Sequence, residues 1–325
     1  MKKLSFLLGL AVWAWPLFAA VEEPVDSRYR PAQADPLMGD WQGTAGYVAQ
    51  VLPTDEGKYQ ANIFRQFDEP DARPLAILSG DATALTGDGW TASIAHSHFK
   101  AAKAGASFDL QRVTRTPPTL GAKPPSGAVV LFDGKDLAAW AKKSGKDWLK
   151  EDGPAPWKLV AGGAMEVVPA ADSLISRQKF GDCQIHLEFR TLGAPTNSGI
   201  YLQTRYEVNI NETYGRVDGT PNAGLDNCTP KGTVPHIRAS RPPLEWQTLD
   251  LDFTAPRFDA AGRKAAKPRA TVRLNGVKVY DQQELNPPTG AAGRLGEAPT
   301  GPAMLQEHGM PIQFRNIWVL AKDGK

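Results

Sequence analysis

Cysteine is scarce: the 325 residues contain two, Cys183 and Cys228. No Cys-x-x-Cys spacing is present, so the thiols make no convincing zinc site. In an oxidising compartment they could form one disulfide; alternatively Cys183, inside the strand-like FGDCQIHLEF, is a small buried hydrophobe. An excess of one charge is also missing. Lys and Arg total 37 against 35 Asp and Glu, and removing residues 1–20 deletes Lys2 and Lys3, leaving a net charge of about zero. That balance argues against nucleic acid as a partner. Helical periodicity is rare, and the one long apolar run, near the start, is too short for a comfortable membrane span.

That run belongs to MKKLSFLLGLAVWAWPLFAA, where two lysines precede an apolar stretch and small residues close it at Ala19 and Ala20. It reads as a signal peptide over 1–20, so the expected address is periplasmic or secreted. Glycine (31) and proline (27) are abundant instead, and short alternating runs separated by turn signals predict an all-β protein. Residues 21–38 are expected to be a flexible mature N-terminus. Residues 39–113 hold five strand candidates, WQGTAGYVAQVL, KYQANIFRQF, PLAILS, WTASIAHSHF and ASFDLQRV, which suit a small antiparallel β domain. TRTPPTLGAKPPSG is Pro-rich and sets a semi-rigid linker at 114–126. Residues 127–321 are expected to form a jelly-roll β-sandwich. Within this unit Asn275-Gly276 marks a tight hairpin turn.

Candidate chemistry comes from alternation. In NSGIYLQTRYEVNINETYG (197–215), read as one strand over 200–211, Tyr201, Gln203, Arg205, Glu207, Asn209 and Asn211 share one face, opposite Ile200, Leu202, Tyr206, Val208 and Ile210. Similar rows occur at His186, Glu188 and Arg190; at Trp246, Thr248, Asp250 and Asp252; and at Met304, Gln306 and His308. If these strands pair in one sheet, the rows tile a single concave face. Carboxylates, amides and Arg would meet sugar hydroxyls there, and aromatic rings the C–H faces.

The segments AVVLFDGKDLAAW, HLEFR, NSGIYLQTRYEV, PPLEWQTLDLDF, VRLNGVKV and LQEHGMPIQFRNIWV, taken in order, resemble the 3-keto-disaccharide hydrolase domain family over about 127–321. The resemblance implies a concanavalin-like jelly roll and cleavage of glycosides already oxidised to a ketone at C3. Asn209 stands where the family commonly has Gln. A C3 ketone acidifies the C2 proton, so a base can start β-elimination of the C1 aglycone; water addition would complete a net hydrolysis. His308 is the first candidate base, because imidazole titrates near neutrality. Glu207 is the second, as base or acid, and Arg190 or Arg205 would hold the enolate oxygen. Glu188, Asn197, Tyr201, Gln203, Arg205, Asn209, Trp246 and Gln306 are the expected substrate-binding residues. No redox cofactor is needed; a divalent cation on Glu188, Glu207 or His308 is open. The expected partners are a carbohydrate substrate and a separate sugar 3-oxidoreductase that makes the ketone.

Two rivals remain. Glu207 and Glu212 could be the paired carboxylates of a retaining glycoside hydrolase, as in lichenase- and laminarinase-type enzymes, although their odd offset would need a bulge. The same face could also belong to a non-catalytic carbohydrate-binding protein. His96 and His98 are expected on one strand face, and Asp226, Asn227 and Lys231 in a loop that could cover the site.

Overall fold

In a computed structural model the structure describes residues 27–69, 73–216, 222–225, 239–286 and 288–322. The proposed signal peptide, Cys228 and the loop residues Asp226, Asn227 and Lys231 lie outside them. The described chain is all β, and no helix in it is long and apolar enough to cross a membrane.

Eight antiparallel strands between Gly39 and Val113 close into a barrel, Gly39–Gln42 pairing with both Val48–Asp55 and Ala106–Val113. Closure leaves no unpaired edge. Trp41, Val51, Ile63, Leu78, Leu85, Phe99 and Leu110 alternate inward and fill the interior. Two of the five expected runs prove to be hairpins, and Ala84–Gly87 adds a strand that no pattern singled out. WTASIAHSHF breaks at His96 and Ser97, whose φ values of 48° and 66° make them the turn residues. His96 and His98 therefore do not share a strand face; His98 pairs instead with Asp109 at 2.8 Å.

The second unit is a sandwich of an eight-stranded and a six-stranded sheet. Cys183–Thr191 lies at the centre of the larger sheet, flanked by Gln247–Thr254 and Ile312–Ala321. In the smaller, Gly301–Leu305 pairs with Leu174–Phe180 on one side and Asn197–Leu202 on the other; Tyr206–Asn211 pairs with the last. Between the sheets Leu187, Phe189, Leu249 and Phe314 meet Ile200, Leu202, Tyr206 and Val208 in one core. Cys183 lies in that core as a free thiol, and burial pushes its pKa up to about 12. The expected Asn275-Gly276 turn is present, with φ of 53° and 82°.

The N-terminal stretch is not wholly loose, because Arg30–Pro31 pairs with Gly193–Ala194. The linker is docked rather than free: the Thr119 hydroxyl donates to Asp250 (2.6 Å) and the Gly121 N–H to Glu188 (2.6 Å). Barrel and sandwich also touch directly. Asn62 Nδ2 donates to Gly215 O (2.6 Å) and Tyr214 donates to Asp40 (3.0 Å), while the linker's Arg115 bridges Asp40 and Asp68 of the barrel at 2.7 Å each.

Candidate active site

The 200–211 segment is a hairpin and not one strand. Gln203 and Thr204 take φ of 54° and 60°, the positive values of a type I′ turn. Odd residues nevertheless stay on one face, since Tyr201 pairs with Glu207 and Gly199 with Asn209. That face is the outer one of the six-stranded sheet. Tyr201, Ile175, Ala141 and Met304 form a small apolar floor there, separate from the main core, and Trp148 packs against it.

On this floor the Tyr201 hydroxyl donates to Glu207 Oε2 at 2.7 Å and accepts from Gln306 Nε2 at 3.1 Å. Tyr201 and Glu207 are each 4% exposed, so the contact is shielded from bulk solvent and electrostatically strong. Gln306 Oε1 is buried and has no hydrogen-bond partner among the described residues. Trp148 stands edge-on to Tyr201, with ring centroids 6.5 Å apart at 84°. Two cations approach its ring: Lys143 Nζ at 4.9 Å, also paired with Asp172 at 3.0 Å, and the Arg294 guanidinium at 5.3 Å. Glycine at 199 makes room for the carboxylate, because a Cβ there would lie 2.9 Å from Glu207 Oε1 and 3.1 Å from its Cγ.

Neighbouring loops hold the hairpin in place. The Glu207 N–H donates to Thr289 Oγ1 (3.1 Å), and Arg205 Nε donates to Gly296 O (2.7 Å). Gln203 Nε2 donates to the carbonyls of Phe180 and Pro299. Gln203 and Arg205, expected on substrate, thus spend their donors on backbone at the turn. Burial depresses the Arg205 pKa below its ordinary value. Asn209 is buried on the strand, and its main chain pairs with Ala223 and Gly224. Asn197 lies opposite Asn211 at the far end of the hairpin. His308 is exposed, two residues beyond Gln306, and makes no hydrogen bond among the described residues.

The single tiled face is not formed. His186, Glu188 and Arg190 and the Trp246–Asp252 row belong to the eight-stranded sheet, whose outer face lies on the other side of the sandwich. Glu188, 1% exposed, accepts from Arg315 Nε (2.6 Å), Asn316 Nδ2 (2.8 Å) and the Gly121 N–H, and His186 Nε2 is 3.7 Å away. Burial alone would raise its pKa, but these donors hold it at about 2. His186 is desolvated too, which disfavours its charge, yet hydrogen bonds to Asp250 and Glu188 leave its pKa raised. Arg190 donates to Gln313 (2.7 Å) and lies 4.8 Å from the Trp246 ring centroid. This second row receives the linker, and Arg190, Glu188 and Trp246 are not with Glu207. Glu188 and Glu207 consequently cannot share an ion, and no group of three or more metal-ligating side chains occurs among the described residues.

Glu212 takes Thr191 and the Tyr214 N–H as partners, away from the Tyr201–Glu207 contact. Burial raises its pKa to about 7. The sequence patterns missed Trp148, Lys143, Arg294 and Thr289, which sit in a loop, at a strand end, and at the end and N-cap of the short 3-10 helix Gly290–Arg294; only the lone tryptophan of KSGKDWLKED was a signal.

The model of the 3-keto-alpha-glucoside-1,2-lyase-like domain matches residues 127–320, more than half of the chain. A crystal structure of a provisionally named glycosyl hydrolase from Parabacteroides distasonis ATCC 8503 is 34% identical, with a TM-score of 0.52 over 61% of this chain and 85% of that one. Another protein of that organism, also provisionally named a glycosyl hydrolase, is 20% identical at a TM-score of 0.40, covering 61% and 94%. Among curated proteins none matches the chain. By the domain that residues 127–320 form, the chain belongs to the 3-keto-alpha-glucoside-1,2-lyase-like family of carbohydrate-active β-sandwich proteins.

Proposed function

We propose that the protein is an exported enzyme that cleaves 3-keto-glycosides at the Tyr201–Glu207–Gln306 cluster. The observation that carries this reading is a shielded carboxylate hydrogen-bonded to a phenol at 2.7 Å, beside an aromatic wall, in a domain of this family. Glu207 takes the C2 proton, the electron pair delocalises into the C3 ketone, and collapse of the enolate expels the C1 aglycone. Water addition to the enone completes a net hydrolysis. Lys143 and Arg294 replace Arg190 as the cations available to a developing enolate, because they flank Trp148 on the same face. The unpartnered Gln306 Oε1 suits a sugar hydroxyl, and the Trp148 ring suits a sugar C–H face. The ketone is supplied by a separate sugar oxidoreductase.

The test is turnover of methyl 3-keto-glucoside and of its unoxidised parent by wild type, Glu207→Gln and His308→Ala. We expect loss of the keto substrate alone, slowed about 10²–10⁴-fold by Glu207→Gln, the usual worth of a positioned base. A full-strength effect at His308 instead would move the base to that residue. Cleavage of the parent sugar would point to direct glycoside hydrolysis, and sugar binding without turnover to a binding protein.

A further inference from the structure

We infer that Tyr201 is the acid that protonates the departing aglycone oxygen, with Gln306 as its positioning residue; this rests on the 3-keto-glycoside reading above. The phenol oxygen donates to Glu207 Oε2 at 2.7 Å and accepts from Gln306 Nε2 at 3.1 Å. In the resting site the Tyr201 proton therefore points at the carboxylate. Proton abstraction reverses that polarity. Once Glu207 carries the C2 proton it becomes a donor across the same contact, and the phenol proton is released toward the substrate.

The step balances. The C2–H bond breaks to Glu207, and its electron pair forms the C2=C3 enolate. The enolate reverts to the ketone while C1=C2 forms and the C1–O bond breaks. The Tyr201 proton goes to the aglycone oxygen, and Glu207 returns its proton to the tyrosinate. The products are the 1,2-ene-3-one and the free alcohol, and both side chains end as they began. Two donors face the transient tyrosinate, Gln306 Nε2 and protonated Glu207, and the burial of Tyr201 and Glu207 strengthens each contact. A phenylalanine at 201 would keep the edge-on packing against Trp148 and the contact with Met304, losing only the hydroxyl.

Dependence on the leaving group separates this role from a structural one. For wild type, Tyr201→Phe and Gln306→Leu, kcat/KM is compared on methyl and 4-nitrophenyl 3-keto-glucosides. Tyr201→Phe is expected to lose about 10²–10⁴-fold on the methyl substrate and under about tenfold on the nitrophenyl one, whose anion leaves without a proton. Gln306→Leu should show the same pattern more weakly. Deuterium exchange at C2 of 1,5-anhydro-3-ketoglucitol, which has no aglycone to expel, should persist in Tyr201→Phe. Equal losses on both aglycones, no loss on the methyl glycoside, or loss of C2 exchange overturns the assignment of Tyr201 alone. Failure of the wild type on both substrates overturns the ketone reading and this assignment with it.

Discussion

Replacing Glu188 with Gln should weaken the fold without touching the reaction. The carboxylate is buried, receives the Gly121 N–H, Arg315 and Asn316 within 2.8 Å, and faces His186. Its pKa falls from 4.5 to about 2, and at 1.36 kcal/mol per unit that depression corresponds to roughly 3 kcal/mol. Removing one partner of a buried charged network costs about 3–5 kcal/mol, which brackets the same value. For a domain of this size the loss corresponds to roughly 6–12 °C in Tm. The sign follows from the direction of the shift. A depressed carboxylate contributes fully above its ordinary 4.5 and loses that contribution as pH falls toward 2. His186 is raised, so its share is present below 6.5 and lost as pH climbs through the higher folded value. Thermal unfolding of wild type and Glu188→Gln from pH 2.5 to 7 should show a wide gap at pH 5–7 that narrows on acidification. A gap below about 1 kcal/mol at pH 6, or one that does not shrink by pH 2.5, would refute the account of Glu188 as the linker's anchor. Turnover of 3-keto-glucosides should be unchanged at 25 °C; a loss comparable to that of Glu207→Gln would return Glu188 to the substrate site.

Two further outcomes follow from the same geometry. Gly199→Ala should cut activity at least about tenfold with a stability loss of about 1–3 kcal/mol, because the new methyl displaces the Glu207 carboxylate; steady-state kinetics beside thermal melts checks this. Glu212, raised to about 7 by burial, binds its proton more tightly folded than unfolded, so it should make stability decline as pH rises from about 4.5 through 7. Melting wild type and Glu212→Gln between pH 4.5 and 8 should show that the substitution flattens the decline; parallel curves would count against it.

Much of the architecture was legible because turns and alternation are local. Asn275-Gly276, which favours positive φ at both positions, marked its hairpin, and QIHLEFR and LEWQTLDLDF became strands with their apolar residues inward. Tyr201 and Glu207 were placed on one face even though the segment is a hairpin, because its register pairs odd residues with odd. The Gln203–Thr204 turn was not legible, since neither residue is one that positive φ ordinarily selects. His96-Ser97 hid its turn inside an otherwise alternating run.

The sequence by itself determined the class of fold and the parity of each polar row, both of which depend on neighbours a few residues apart. Only the tertiary structure decided which sheet each strand joined. Strands of both sheets carry one apolar and one polar face, so alternation cannot tell two coplanar rows from two rows back to back. Long-range pairing put His186, Glu188 and Arg190 in the eight-stranded sheet, where the linker docks on Glu188. It also put Gln306 beside Tyr201, across 105 residues of chain, and brought Trp148 over the same floor from a loop with no periodic pattern.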